Sequence, residues 1–72
     1  MAKPHHRRIL GEAIRAYRKE AALSQELLAE QAEDSPKYPG EVERGEANIS
    51  VDTLLRITKA LGVRVRDLVE KL

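Results

Sequence analysis

The chain has no cysteine, no phenylalanine and no tryptophan. Without cysteine it can form neither a disulfide framework nor a thiolate metal site. Its aromatic residues are Tyr17 and Tyr38 alone, so a core must be built from Leu, Ile, Val and Ala, which suits a compact helical bundle. No apolar run reaches the length of a membrane span, and nothing resembles a signal peptide. A cytoplasmic protein with no membrane partner is the expectation. Glycine-rich phosphate loops are absent, as are internal repeats and low-complexity tracts. His5 and His6 stand side by side with no Cys or carboxylate at ligand spacing, so no metal or cofactor is expected. Neither histidine falls in a segment expected to be structured. A nucleophile with its base and orienting group therefore has no candidates, and enzymatic chemistry is not expected.

What is present is charge and aliphatic periodicity. The 72 residues are 42% hydrophobic and 35% charged, with a net charge of +1. That length allows one domain, near the lower limit for folding without staples. The near-neutral sum hides segregation. Residues 1–24 carry +4, residues 25–52 carry −6, and residues 53–72 carry +3. Affinity for nucleic acid comes largely from neutralising phosphates, so an acidic middle is an obstacle to any DNA-facing surface placed there.

Residues 1–7 read as a flexible tail and residues 8–72 as the domain. From about Arg8, Leu10, Ile14 and Tyr17 form one apolar face of a helix that runs to about Ala22. Ser24 is a good N-cap for a second helix, which would bury Leu28, Ala29 and Ala32 and leave Leu27 exposed. Glu33, Asp34 and Ser35 form a turn. Ser35 and Pro36 read as N-cap and first residue of a third helix. Pro39 then falls fourth, where its missing N–H would have bonded the Ser35 carbonyl, and Gly40 follows. Interior proline costs about 3 kcal/mol and glycine about 1 kcal/mol relative to alanine. The third helix is therefore expected to be short, kinked or partly unformed. Gly45 is a left-handed stop. Ser50 caps a fourth helix carrying Leu54, Ile57 and Leu61, closed by Gly62. A last helix with Val65, Leu68, Val69 and Leu72 starts at Arg64, a poor cap. The result is an all-α, five-helix domain.

Several fragments in order carry a resemblance. They are Leu10-Gly11-Glu12-Ala13-Ile14-Arg15, Leu23-Ser24-Gln25-Glu26, Leu28-Ala29-Glu30, Val42-Glu43-Arg44-Gly45, Asn48, Ser50, Thr53-Leu54-Leu55-Arg56-Ile57 and Lys59-Ala60-Leu61-Gly62-Val63. Together they resemble the Cro and phage-repressor type of helix-turn-helix DNA-binding domain, over about Leu10 to Leu68. The resemblance implies a compact fold whose third helix enters the major groove of DNA. Gln25 would then donate to a phosphate from the start of the second helix. Ser35, Pro36, Lys37 and Tyr38 would open the recognition helix. Lys37 could donate to guanine and Glu41 accept from cytosine. Arg44 belongs to the same set, and Asn48 would touch the DNA backbone. Arg18 and Glu43 match a structural ion pair between the first and third helices, for which a planar guanidinium suits bidentate contact.

The departures from that pattern cluster. Glu33 stands where the family usually has glycine, Asp34 where it has a half-buried apolar residue, and Pro39 where an aliphatic anchors the recognition helix. Glu46 and Ala47 replace common basic loop residues. They predict a remodelled recognition element on an intact frame. The leading functional expectation is a sequence-specific DNA-binding transcription regulator, with double-stranded DNA and a second copy of the chain as partners. Leu27, Val65 and Leu72 are candidate dimer contacts. The alternative is a protein-interaction and dimerisation module on the same frame, with DNA binding weak or lost and segments exchanged between chains.

Overall fold

The computed structural model describes residues 5–72, which form five α-helices. The elements are α1 (His5–Glu20), α2 (Gln25–Gln31), α3 (Tyr38–Glu43), α4 (Val51–Leu61) and α5 (Val65–Val69). Among the described residues there is no strand, and no helix is long and apolar enough to cross a membrane. Helix α1 begins three residues before the periodicity predicted. His5, His6 and Arg7 thus form its first turn rather than part of a tail, while residues 1–4 lie outside the described residues. The apolar stripe misses this turn because it is polar and both histidines are exposed.

Ser24 and Ser50 cap α2 and α4 as expected, their hydroxyls accepting from the N–H of Leu27 at 3.0 Å and of Thr53 at 3.1 Å. Arg64 is indeed a poor cap, but Asp67 compensates by accepting from the Arg64 N–H at 2.9 Å. Helices α1 to α4 share one way of stopping. A left-handed residue follows each, at Ala22, Glu33, Gly45 and Gly62. The next N–H then reaches back to a carbonyl five residues earlier: Leu23 to Arg18, Asp34 to Ala29, Glu46 to Glu41 and Val63 to Thr58. These bonds satisfy carbonyls that a helix end leaves orphaned. Gly45 and Gly62 were legible as stops. Glu33, which stands where the family usually has glycine, adopts this conformation with φ 57° although its side chain disfavours it.

The third helix corrects the proline argument. Ser35 and Pro36 open a tight turn, closed by the Tyr38 N–H on the Ser35 carbonyl at 3.1 Å, rather than a helix. Serine first and proline second is a favoured turn sequence. Helix α3 therefore starts two residues later than expected, with Lys37 at its N-cap and Pro39 in its first turn. There a missing N–H costs nothing, since first-turn N–H groups have no partner within the helix. Pro39 is also among the most completely buried side chains, and Gly40 beside it is buried too. The helix is short, at six residues, but formed.

Leu10, Ile14, Leu28, Ala32, Val42, Ile57, Leu61 and Leu68 make the core, with Tyr17, Tyr38 and Leu54 packed on it from the edge. Helix α1 lies on α3 and α5, α2 on α3 and α4, and α4 on α5. The α1–α3 crossing is set by Gly11, where a Cβ would stand 2.3 Å from the Val42 carbonyl oxygen and 2.8 Å from that of Glu43. Only a residue without a side chain permits that approach.

Two substitutions check these readings in urea unfolding. Pro39→Ala is expected to lower stability by about 1–2 kcal/mol through lost burial, whereas a helix-breaking proline would yield a gain. Glu33→Gly should raise stability by about 0.5–1 kcal/mol, the relief of left-handed strain minus the looser unfolded chain.

Candidate nucleic-acid interface

The side chains that position α2 and α3 meet at one carboxylate. Arg18, near the end of α1, donates through Nε to Glu43 Oε2 at 2.6 Å and through Nη2 to Glu43 Oε1 at 3.1 Å. Its Nη1 donates to the Leu23 carbonyl at 2.8 Å, tying down the α1–α2 connection. Gln25 adds a fourth bond, Nε2 to Glu43 Oε1 at 3.1 Å. The side chains of Arg18 and Glu43 are only 11% and 4% exposed. The hydrogen bond to Glu43 holds the Arg18 pKa above its ordinary value, with burial working against it. The expected ion pair is thus present, and bidentate as the guanidinium geometry favours.

On this clamp the expected contact residues sort into two groups. Ser35, Pro36, Lys37, Glu41, Arg44 and Asn48 are exposed, whereas Gln25 and Tyr38 are half-buried. Gln25 points its amide nitrogen inward to Glu43, so part of its hydrogen-bonding capacity is structural. Tyr38 packs on the core. Burial first, then the Asp34 carboxylate, pushes its hydroxyl pKa above the ordinary tyrosine value, against an opposing pull from Arg56.

Two residues missed in the sequence complete the arrangement. Gly40 is one. A Cβ there would lie 3.1 Å from Arg44 Nη1 and 3.2 Å from Gln25 Oε1, so its bareness lets both side chains lie across α3. The other is Arg56 of α4. Its Nε donates to the Ala32 carbonyl at the end of α2 and its Nη2 to Thr53 Oγ1, each at 3.0 Å. Nη2 also lies 3.7 Å from Asp34 Oδ2. Asp34, which departs from the apolar pattern, is half-buried with its Oδ2 facing the Arg56 charge but accepting no hydrogen bond. Its partner is 22 residues away in the chain, beyond the reach of local pattern reading. The acidic middle is correspondingly less acidic at the surface: Glu43 faces Arg18, Asp34 faces Arg56, and Glu46 accepts from Arg44 at 3.2 Å.

Two short helices, a left-handed turn between them, and a second helix locked beneath while its leading end stays open make up a helix-turn-helix. The chain belongs to the helix-turn-helix domain family, whose pattern matches residues 9–72. It is 37% identical over 65 residues to control protein C.BamHI of Bacillus amyloliquefaciens, covering 89% of this chain and 80% of that one. The immunity repressor protein of Bacillus phage phi105 is 42% identical over 60 residues, 83% of this chain and 42% of the repressor. Among solved structures, the restriction-modification controller protein C.AhdI of Aeromonas hydrophila superposes with a TM-score of 0.84 at 35% identity. That match covers 86% of this chain and 94% of C.AhdI.

Glu43→Gln should cost about 3–5 kcal/mol in urea unfolding, because it strands the Arg18 charge in a nearly closed site. Pairing Arg18→Met with Glu43→Leu should recover much of that loss. Equal costs for the single and double variants would show that the pair carries no special weight.

Proposed function

We infer that this protein is a DNA-binding transcription regulator that reads the major groove with the leading end of α3. One observation carries the reading: Ser35, Pro36, Lys37 and Glu41 stand exposed on and before a helix whose underside is fixed by the Arg18–Glu43 clamp. Rigid presentation of a few polar side chains is what base readout requires. In this reading Lys37 donates to guanine acceptors and Glu41 accepts from cytosine. Gln25, Arg44 and Asn48 face backbone phosphates, Arg44 as the fixed charge among them. Tyr38 sets the height of the helix by its seat on the core. The relatives support the regulatory part, since a control protein, a controller protein and an immunity repressor are regulators by name. Regulation rather than catalysis is the role.

A homodimer is the second part of the proposal. One small module contacts few base pairs, and paired half-sites multiply specificity. Leu27, Val51, Leu55 and Leu72 are exposed large apolar side chains available for such a contact. Exchange of segments has less to recommend it, because it was motivated by a loosened third helix and α3 is formed and clamped.

Selection of bound duplexes from a random pool, followed by sequencing, tests the reading. A recovered motif with two symmetric halves, and affinity that falls steeply with salt, is the expected result. Lys37→Gln should then weaken the selected site by about 1–3 kcal/mol and relax the preference at one base pair. Absence of duplex binding at low salt would overturn the assignment, and sedimentation equilibrium showing only monomer would overturn the dimer.

A further inference from the structure

The connection from α2 to α3 is tied down at both ends but not across its middle. The Asp34 N–H bonds back to the Ala29 carbonyl at 2.8 Å, and the Tyr38 N–H bonds to the Ser35 carbonyl at 3.1 Å. Among the described residues no backbone hydrogen bond joins these two halves. The leading end of α3 also lacks a cap of its own, since the Lys37 side chain makes no capping bond. The Arg18–Glu43 clamp sits at the far end of this six-residue helix. Pro39 and Tyr38 seat the helix on the core, but apolar contact is non-directional. What fixes the leading end laterally must come from another element.

Arg56 of α4 is placed to do so. Its Nε and Nη2 are anchored on the Ala32 carbonyl and on Thr53 Oγ1, which also accepts from the Ser50 hydroxyl at 3.0 Å. The guanidinium so fixed stands 3.7 Å from Asp34 Oδ2. The pair is partly open, with side chains 42% and 23% exposed, and open pairs alone contribute little. Oδ2 itself, however, is buried and accepts no hydrogen bond, so the Arg56 charge is its compensation. Without that charge the carboxylate has to turn out to water, and the turn moves with it. We propose that Arg56 and Asp34 are a positioning pair for base recognition: through them α4 holds the start of the turn, and the turn sets where Lys37 meets the groove. An apolar residue at the Asp34 position, the type that the family usually has there, would hold the turn by packing instead. The proposal rests on the DNA-binding reading above and names what aligns its reading end.

Affinity is compared for the selected duplex and for random-sequence duplex at one salt concentration. The chains are the unaltered protein, Arg56→Met, and Arg56→Met combined with Asp34→Leu. The ratio of the two affinities cancels the general effect of a lost charge on phosphate attraction. Arg56→Met should lower that ratio about tenfold, the size of one base contact. Adding Asp34→Leu should restore most of the loss. In the unbound protein, hydrogen exchange at the Tyr38 N–H should quicken in Arg56→Met and slow again in the double variant. An unchanged ratio in a folded Arg56→Met overturns the proposal. A fall that Asp34→Leu does not repair also overturns it, because Arg56 would then act by touching DNA itself. If Arg56→Met does not fold, Arg56→Lys keeps the charge without the planar fork and takes its place, with the same outcomes deciding. If the unaltered chain binds no duplex, the DNA-binding reading fails, whereas unchanged exchange at Tyr38 overturns the positioning pair alone.

Discussion

The Arg18 guanidinium, donating twice to Glu43 and once to the Leu23 carbonyl, joins the end of α1, the start of α2 and the end of α3 in one side-chain network. Gln25 closes it from the α2 side. Taking two charges out of water is costly, and such a pair adds little net stability compared with an apolar contact of equal volume. Its value lies in geometry. A guanidinium fork donates to a carboxylate in one plane, so the pair fixes the rotation of a six-residue helix that has too few residues to fix itself. Apolar contacts from Val42 and Pro39 hold α3 down, and the fork decides which of its residues face outward.

The same logic explains how a chain with an acidic middle keeps a usable outer face. Charges in that region are opposed across elements rather than along the sequence: Glu43 by a residue of α1 and Asp34 by a residue of α4. Summing charges by segment therefore misjudges the surface, because the cations that answer these carboxylates lie in the flanking segments. Glu46 is the exception. Its cation, Arg44, is its near neighbour.

Much of the architecture was legible because local chemistry declares itself. Ser24 and Ser50 mark helix starts, Gly45 and Gly62 mark stops, and Leu10, Ile14, Leu28, Ile57 and Leu61 fall into the core where spacing puts them. The third helix begins two residues later than the Ser35-Pro36 signal predicts, and the helix-breaking cost assigned to Pro39 depends on that count. Ser35-Pro36 is consistent with a helix start or a tight turn, and only the buried seat available to Pro39 decides between them. Glu33 adopts the left-handed conformation that its side chain disfavours, since the hydrogen bonds of the helix stop offset a modest local cost. Gly40 carried no sequence signal beyond weakness. Its meaning depends on Gln25 and Arg44 being above it.

The contact at Gly11 is between a bare Cα and two peptide carbonyls, not between side chains. Side-chain contacts can drift, because a larger residue on one helix is met by a smaller one on the other. A backbone contact has no such partner to adjust. The angle between α1 and α3 is therefore inherited as a fixed quantity. Exposed neighbours such as Glu12, Arg15 and Ala16, and the outward residues of α3, can be exchanged without altering the platform that holds them. A side chain placed at Gly11 would have to move the backbone of α3, whereas an exchange on the outward face of α3 would not.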